Sequence, residues 1–205
     1  MNDRPRLWGI GTTRTYRAHH ALIERGIDYE TVPIRTRTAD QERTDFRRVA
    51  VSGKVPCLEI DGLEISESAA IARSVMTRDQ PPRAAGDQAF IDQWSFFILT
   101  ELDATALYVL RRHEGLPEIY GEAEAACQAA RDYVLRQVNS LDEKLMDGRD
   151  TLWPVAFSEL DIFLLSIVDW SRLLSLELPE RTATWAATMR QRESSRRARE
   201  VNYIT

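Results

Sequence analysis

The chain has 205 residues, of which 43% are hydrophobic and 29% charged, and its formal net charge is -5. These values are typical of a globular protein with one large domain or two small ones, and the acidic balance argues against a nucleic-acid-binding protein. No apolar run suits a membrane span or signal peptide, and Cys57 and Cys127 form no metal-binding or CxxC pattern, so we expect a cytoplasmic protein without a metal.

The first 78 residues predict the order β-α-β-α-β-β-α. In chain order we predict a strand at 7–10, a helix at 16–25, a strand at 29–34, a polar loop at 35–44, helical turns at 45–51, strands at 55–60 and 63–65, and a helix from 66 to about 78. Asp61-Gly62 is a hairpin turn, and Gly26 ends the first helix. This order predicts a parallel βαβ unit to which the hairpin adds antiparallel strands. His19 and His20 lie in the first helix, one expected to point inward and one outward.

The composition changes at 79–87, where prolines and a glycine predict a linker. Every strong pattern after it is helical, over 87–112, 118–146, 158–174 and 179–194. The sequence therefore predicts an α/β domain at 1–78 and an all-helical domain at 88–205. Ser158-x-x-Asp161 is a capping box with a structural role. We interpret the basic cluster at 190–199 as a solvated helix face.

Two features of the first domain suit a peptide ligand. Pro56 lies at a strand start, and a cis bond there would leave the N–H and C=O of Val55 to pair with an extended ligand. Glu67 and Ser68 lie at a helix N-terminus, where a hydroxyl and free amides favour a carboxylate and the acid can receive an ammonium. Together they predict a site for a small zwitterionic peptide. The alternative is purely structural: a helix cap and a trans proline at a strand start.

These residues carry a family resemblance. The first domain contains the motifs Gly53-Lys54-Val55-Pro56-x-Leu58, Asp61-Gly62 and Glu67-Ser68-x-x-Ile71. These motifs resemble those of the glutathione-binding half of the glutathione S-transferase superfamily. Residues 7–34 are also similar to the opening β-α-β of bacterial members of that superfamily. The resemblance implies a thioredoxin-like domain followed by a helical bundle, and usually a symmetric homodimer. It also implies glutathione held by the five residues Lys54, Val55, Pro56, Glu67 and Ser68.

The resemblance places the glutathione sulfur near the end of the first strand. A thiol is mostly protonated at neutral pH, so the protein must stabilise the thiolate with donors, a cation or a helix N-terminus. Our first candidate is the hydroxyl of Thr13, with Thr12 and Thr15 as rivals and Arg14 adding charge. Segment 9–20 has no serine or cysteine, which argues against a cysteine mechanism there. Alternatively, the threonines only cap the first helix.

The resemblance predicts an enzyme that binds glutathione and transfers its thiolate to a small electrophilic, hydrophobic substrate, with Tyr108 and Arg112 lining the electrophile pocket. Isomerisation, dehalogenation, ether cleavage and peroxide reduction use the same thiolate and stay open. The alternative function is a non-catalytic protein of the same fold that serves as a binding or regulatory scaffold. The absence of the usual serine, cysteine or tyrosine favours the scaffold, and the intact peptide motifs favour the enzyme. Neither nucleic acid nor a membrane is an expected partner.

Overall fold

The computed structural model of the chain describes residues 4–204. Its first part has the predicted order of strands and helices. The strands are β1 (Arg6–Trp8), β2 (Glu30–Val32), β3 (Cys57–Ile60) and β4 (Leu63–Ser66), and the helices are α1 (Thr13–Glu24), α2 (Thr44–Val49) and α3 (Ser68–Met76), with a 3₁₀ turn at Ala39–Glu42. Helix α1 begins three residues before the predicted start at 16, because the Thr12 side chain caps it.

The four strands form one mixed sheet in the order β2-β1-β3-β4. Strand β1 pairs parallel with β2 and antiparallel with β3, and β3 pairs antiparallel with β4, which confirms the βαβ unit and hairpin. Asp61 (φ 52°) and Gly62 (φ 76°) make the hairpin turn, whose two positive φ angles suit the right-handed twist of the strands. Trp8 is opposite Cys57, and Cys57 is opposite Ser66. The end of β1, the start of β3 and the end of β4 therefore meet at one edge of the sheet.

The remaining elements are helical. They are α4 (Ala85–Phe96), a π-helical stretch (Phe97–Leu107), α5 (Tyr108–His113), α6 (Pro117–Tyr120), α7 (Glu124–Leu145), α8 (Glu159–Leu173), α9 (Glu180–Gln191) and α10 (Glu193–Asn202). Helix α8 is the central helix of this part, because every residue from Glu159 to Val168 is buried. It begins with the predicted capping box, since the Asp161 carboxylate accepts the Ser158 N–H (2.8 Å). No helix within residues 4–204 is long and apolar enough to cross a membrane.

The chain divides into two compact units, and the second boundary differs from the prediction. The first unit runs through Pro82 and resumes at Arg190, and the second is Arg83–Met189. The predicted helical domain at 88–205 is therefore wrong at its end, because α10 belongs to the N-terminal unit. The reason is that α10 packs along α1 and is not simply solvated, with a buried face made of Ser194, Ser195, Ala198 and Asn202.

The same packing corrects the prediction for the two histidines. His19 and His20 are both buried, because α1 packs against both α3 and α10. The Nε2 of His20 lies 3.2 Å from the Ser194 hydroxyl, and the Tyr16 hydroxyl lies 2.9 Å from that of Ser195. Burial and the charges of two nearby arginines lower the pKa of His20 to about 3, so its ring is neutral at physiological pH.

Candidate functional site

Three loops meet at the edge of the sheet where β1 ends. Gly9 follows β1, has φ 121°, and donates its N–H to the Val32 carbonyl (2.9 Å). A Cβ atom on Gly9 would lie 2.5 Å from the Cβ of Val55, so the backbone of Gly9 packs directly against Val55. The register of β3 and β4 places Glu67 one residue beyond the pair formed by Cys57 and Ser66. The structure thus brings the predicted α1 turn, the Val55-Pro56 segment and the Glu67-Ser68 pair to one edge.

The Val55-Pro56 segment leaves backbone groups available for a ligand. The Val55–Pro56 peptide bond is cis, and Pro56 is buried while Lys54 is exposed. Within residues 4–204 neither the N–H nor the C=O of Val55 has a hydrogen-bond partner. Gln41, which sequence reasoning missed in the polar loop, donates its Nε2 to the Gly53 carbonyl (2.9 Å) and so ties that loop to the segment. No pattern in the loop singles out this glutamine.

Helix α3 begins at the same edge with an open N-terminus. Glu67 precedes it with φ 69° and gives it no side-chain cap, and no acid occupies its first turn. A positive φ in a residue other than glycine is uncommon and is found where surrounding structure imposes it, often at functional sites. Ser68 is 5% exposed, and its hydroxyl has no hydrogen-bond partner in the part of the chain that the structure describes. The first amides of α3 and this hydroxyl together form a group of donors suited to a carboxylate.

Helix α1 also begins here, and its threonines divide into two roles. Thr12 and Thr15 form a capping box: the Thr12 hydroxyl accepts the Thr15 N–H (3.0 Å), and the Thr15 hydroxyl accepts the Thr12 N–H (2.9 Å). Thr15 is fully buried, so the structure gives it a capping role. Thr13 is half-buried, and its hydroxyl and N–H have no partner among residues 4–204. No acid lies in the first turn of α1, so that turn supplies no carboxylate beside Thr13. Arg14 is partly buried.

His19 holds the loop that follows β1, a role that sequence reasoning missed. Its Nε2 lies 3.1 Å from the Gly9 carbonyl, and its Nδ1 lies 2.7 Å from the Tyr29 hydroxyl. Burial lowers the pKa of His19 to about 4, so the ring is neutral, with Nε2–H donating to Gly9 and Nδ1 accepting from Tyr29. The same burial raises the pKa of Tyr29 to about 12, which keeps the phenol protonated as a donor. No sequence pattern distinguishes a histidine that holds a loop in this way from any other buried histidine of a helix.

Asn202 is the second residue that sequence reasoning missed. It lies at the end of α10, is fully buried, and donates its Nδ2 to the Thr12 carbonyl (3.0 Å). The contact spans 190 residues of chain, so no local pattern could have indicated it. The α1 turn is therefore held by residues from both ends of the N-terminal unit.

The predicted electrophile-pocket residues lie in the second unit. Tyr108 begins α5, and the guanidinium of Arg112 lies over the rings of Tyr108 and Tyr120, at 4.7 and 5.3 Å from their centres. These distances are those of cation–π contacts. A role for either residue in electrophile binding stays a prediction. No group of His, Cys, Asp and Glu side chains suited to a metal ion occurs in the described range 4–204.

Comparison with known proteins shows sequence similarity in the N-terminal part of the chain. Residues 5–75 match the family model of the glutathione S-transferase N-terminal domain. Glutathione S-transferase 4 of Zea mays is 39% identical over 82 residues, which are 38% of this chain and 37% of that protein. The chain thus matches a little over a third of that relative's length.

Solved structures extend the likeness to nearly the whole chain. The glutathione transferase URE2P6 of Phanerochaete chrysosporium, solved with oxidized glutathione, has a TM-score of 0.83 at 17% identity and covers 97% of this chain and 96% of its own. A glutathione transferase of Pseudomonas putida with bound glutathione disulfide has a TM-score of 0.81 at 18% identity, covering 96% of this chain and 90% of its own. At such identities the likeness establishes the fold. The sequence likeness to the glutathione S-transferase N-terminal domain lies in residues 5–75, and the likeness to solved structures extends the fold over the rest of the chain.

Proposed function

We propose that this protein is a glutathione transferase that binds glutathione at the edge formed by β1, β3 and β4, stabilises its thiolate, and transfers it to a small, hydrophobic electrophile. The observation that carries the proposal is the pair of open helix N-termini at this edge. Neither α1 nor α3 has an acid in its first turn, so neither dipole is neutralised by a carboxylate from that turn. Two sites for negative charge on one edge suit a peptide that carries a carboxylate and a thiolate.

The peptide backbone and its charged ends would be held by the residues of β3 and α3. Val55 offers an unpaired N–H and C=O to an extended peptide, in the manner of strand addition. Ser68 and the first amides of α3 would receive the carboxylate of the γ-glutamyl group, and the Glu67 carboxylate its ammonium. The exposed side chain of Lys54 would receive the glycine carboxylate. Pro56 shapes the segment that presents Val55.

The thiol would be ionised at the N-terminus of α1. Thr13 offers two donors without competing partners, its hydroxyl and its N–H, and Arg14 adds positive charge. Depressing a thiol pKa by one to two units requires about 1.4–2.7 kcal/mol, which a hydroxyl, an amide and a cation supply. Thr12 and Thr15, the rival candidates, use their hydroxyls to cap α1. Thr13 is therefore the hydroxyl that we assign to the sulfur.

The proposal is tested by the pKa of the bound thiol. Thiolate absorbance of reduced glutathione is titrated with the wild type and with Thr13→Ala, and the Kd for glutathione is measured by calorimetry. We expect Thr13→Ala to raise the bound thiol's pKa by about one unit, because a donor to the anion is lost, with Kd changed less than about threefold. Ser68→Ala is expected to do the reverse: about tenfold weaker binding with an unchanged thiol pKa. Thr44→Ala, at the exposed first position of α2, is the matched control.

Two outcomes would sink the proposal. One is a wild type that does not retain glutathione, and the other is a bound thiol with the pKa of the free peptide. If glutathione binds but an activated aryl halide is not turned over, the function is the alternative one, a glutathione-binding protein of this fold without transferase activity.

We further propose a homodimer in the cytoplasm. Large apolar side chains are exposed on the first unit, with Val51 92% and Leu63 60% accessible, as at surfaces that are covered on association. Cys57 and Cys127 are both free thiols, which suits a reducing compartment. A sizing measurement tests the dimer, and a monomer at micromolar concentration would contradict it.

A further inference from the structure

The last residue of α10 forms two hydrogen bonds to the turn from which α1 starts. The Nδ2 of Asn202 donates to the Thr12 carbonyl (3.0 Å), and the Asn202 carbonyl accepts the Gly11 N–H (2.8 Å). Two successive residues of the turn are thus bound by one residue of another helix. We infer that Asn202 is a positioning residue that aims the donors of Thr13 at the glutathione sulfur, an inference that rests on the proposed function.

The planarity of the peptide group connects Asn202 to Thr13. The Thr12 carbonyl and the Thr13 N–H belong to the same peptide group, which is planar and trans, so they point in opposite directions. A bond that fixes the direction of the carbonyl therefore fixes the direction of the N–H. That N–H is one of the two Thr13 donors proposed to face the thiolate, and the same backbone carries the other. Asn202 thus acts on the sulfur through Thr13, without touching it.

Other bonds to the Thr12 carbonyl come from within α1. It accepts the Thr15 hydroxyl (2.9 Å) and the Tyr16 N–H (3.0 Å), both in the first turn of the helix. These bonds tie the carbonyl to its own helix but do not tie the helix end to the rest of the unit. Asn202 supplies that tie. The N–H groups of Gly9 and Ile10 bond to the carbonyls of Val32 and Ile34, which hold the start of this loop. Gly11, which has φ 81° and is exposed, is held by the bond from its N–H to Asn202, the one nearest the start of α1.

The orientation of the Asn202 amide is determined by its surroundings. Its Oδ1 is buried and has no donor among residues 4–204, so the bond from Nδ2 is the side chain's single one there. A reversed amide would bring Oδ1 against the Thr12 carbonyl oxygen, and two acceptors repel. Asn202→Asp therefore keeps the size of the side chain and removes the donor. It also places an acceptor, and a negative charge when ionised, beside the N-terminus proposed to hold the thiolate.

A matched control exists on the same helix. Ser195 is also fully buried in α10, and its hydroxyl lies 2.9 Å from the Tyr16 hydroxyl, one turn into α1. Ser195→Ala loosens the packing of α10 on α1 without removing a bond to Gly11 or Thr12. A merely structural role for Asn202 predicts that both variants behave alike, and a positioning role predicts that they differ.

The experiment titrates the thiolate absorbance of bound reduced glutathione in the full chain. It compares the wild type with Asn202→Asp, Asn202→Ala and Ser195→Ala, and measures each Kd and thermal midpoint. We expect both Asn202 variants to raise the bound thiol's pKa by about one unit, a roughly tenfold fall in thiolate at neutral pH, with Kd within about threefold of wild type. We expect Ser195→Ala to lower the midpoint and leave the thiol pKa unchanged.

The outcomes separate the inference from the proposed function. If the wild type binds glutathione and lowers its thiol pKa, but neither Asn202 variant shifts that pKa, the inference alone is overturned. An equal shift in Ser195→Ala also overturns it, because general loosening would then explain the effect. A wild type that does not bind glutathione overturns both. Should the charge of Asn202→Asp prevent folding, judged by far-ultraviolet circular dichroism, the neutral Asn202→Ala decides the result.

Discussion

Helices α1 and α8 both begin with a capping box, but only one of them leaves its N-terminus open. In α1 the box is made of two threonines, and no acid lies in the first turn. In α8 the box is made of Ser158 and Asp161, and the buried first turn contains two carboxylates, those of Glu159 and Asp161. The same local motif thus produces one helix end that can receive an external anion and one already occupied by the protein's own anions.

The partners of these carboxylates show why α8 is structural. Asp161 accepts the N–H groups of Ser158 and Leu152, both at 2.8 Å. Glu159 is fully buried and receives both Nη atoms of Arg83, each at 2.7 Å. An occupied helix end stabilises the fold, whereas an unoccupied one at an accessible edge is available for a ligand. The two helix ends therefore differ in whether the first turn contains acidic residues, and not in whether it has a capping box.

The largest expected effect comes from removing the partner of a carboxylate at the start of α8. Arg83→Leu would leave the Glu159 carboxylate buried without its bidentate partner, and Arg83 also lies 5.1 Å from the centre of the Trp153 ring. Removing one partner of a buried ion pair costs about 3–5 kcal/mol, so we expect a loss of that size in the free energy of unfolding, measured by urea denaturation. Both side chains are shielded, at 11% and 0% exposure, which is why the cost is not screened by solvent.

Arg43→Leu provides the control for this variant. Arg43 pairs with Asp45 at 2.7 Å, but the two side chains are 41% and 47% exposed. Exposed pairs contribute at most about 1 kcal/mol. Similar losses in the two variants would contradict the distinction between an occupied, buried helix end and a solvated pair.

Much of the fold could be predicted from the sequence because its patterns are local. Alternating apolar runs, the Asp61-Gly62 turn and the Ser158 capping box each act within a few residues, and the structure confirms the elements that they predict. The peptide motifs likewise predicted which segments meet at the sheet edge. What the sequence could not indicate are contacts between distant segments. The bonds that His19 and Asn202 make to the site loops have no local pattern.

The end of the helical region shows the same limit. Residues 190–199 were predicted to form a solvated basic face. Arg196 and Arg197 are exposed, but the composition of this segment does not show which neighbour covers its other side. The buried side of α10 is made of small and polar residues, Ser194, Ser195 and Ala198 among them, which a hydrophobic pattern does not detect. The domain limit was therefore wrong for a physical reason: polar packing against α1 replaces an apolar face.

A smaller effect is expected in the pH dependence of the free energy of unfolding, to which the buried Asp161 of α8 contributes. Burial raises the pKa of Asp161 to about 6, above the value near 3.9 of an unfolded aspartate. The folded state then holds more protons than the unfolded state between these values, so the contribution to stability is full below about pH 4 and is lost as the pH rises through 6. A shift of two units corresponds to about 3 kcal/mol.

Asp161→Asn tests this by removing the titration. Because other groups also titrate, the quantity to follow is the difference in free energy of unfolding between wild type and variant, from urea denaturation at pH 4 to 7. We expect the stability of the wild type minus that of the variant to be larger at pH 4 than at pH 7, by about 2 kcal/mol. In Asp45→Asn the trend should be opposite, because the hydrogen bond from Arg43 lowers the pKa of Asp45. A difference that is flat across this range would refute a buried, proton-holding Asp161.

The smallest effect returns to the capping hydroxyls themselves. Thr12→Ala removes the acceptor of the Thr15 N–H, and Ser158→Ala removes the acceptor of the Leu160 N–H (3.3 Å). Each should lower the free energy of unfolding by about 1 kcal/mol, the usual contribution of such a cap. The two variants should differ in their effect on the bound glutathione thiol, because a frayed α1 would no longer hold the Thr13 donors in place. We therefore expect Thr12→Ala alone to raise the pKa of the bound glutathione thiol, and Thr12→Ser to restore it. If Ser158→Ala moved that pKa equally, the open and occupied helix ends would not be functionally distinct.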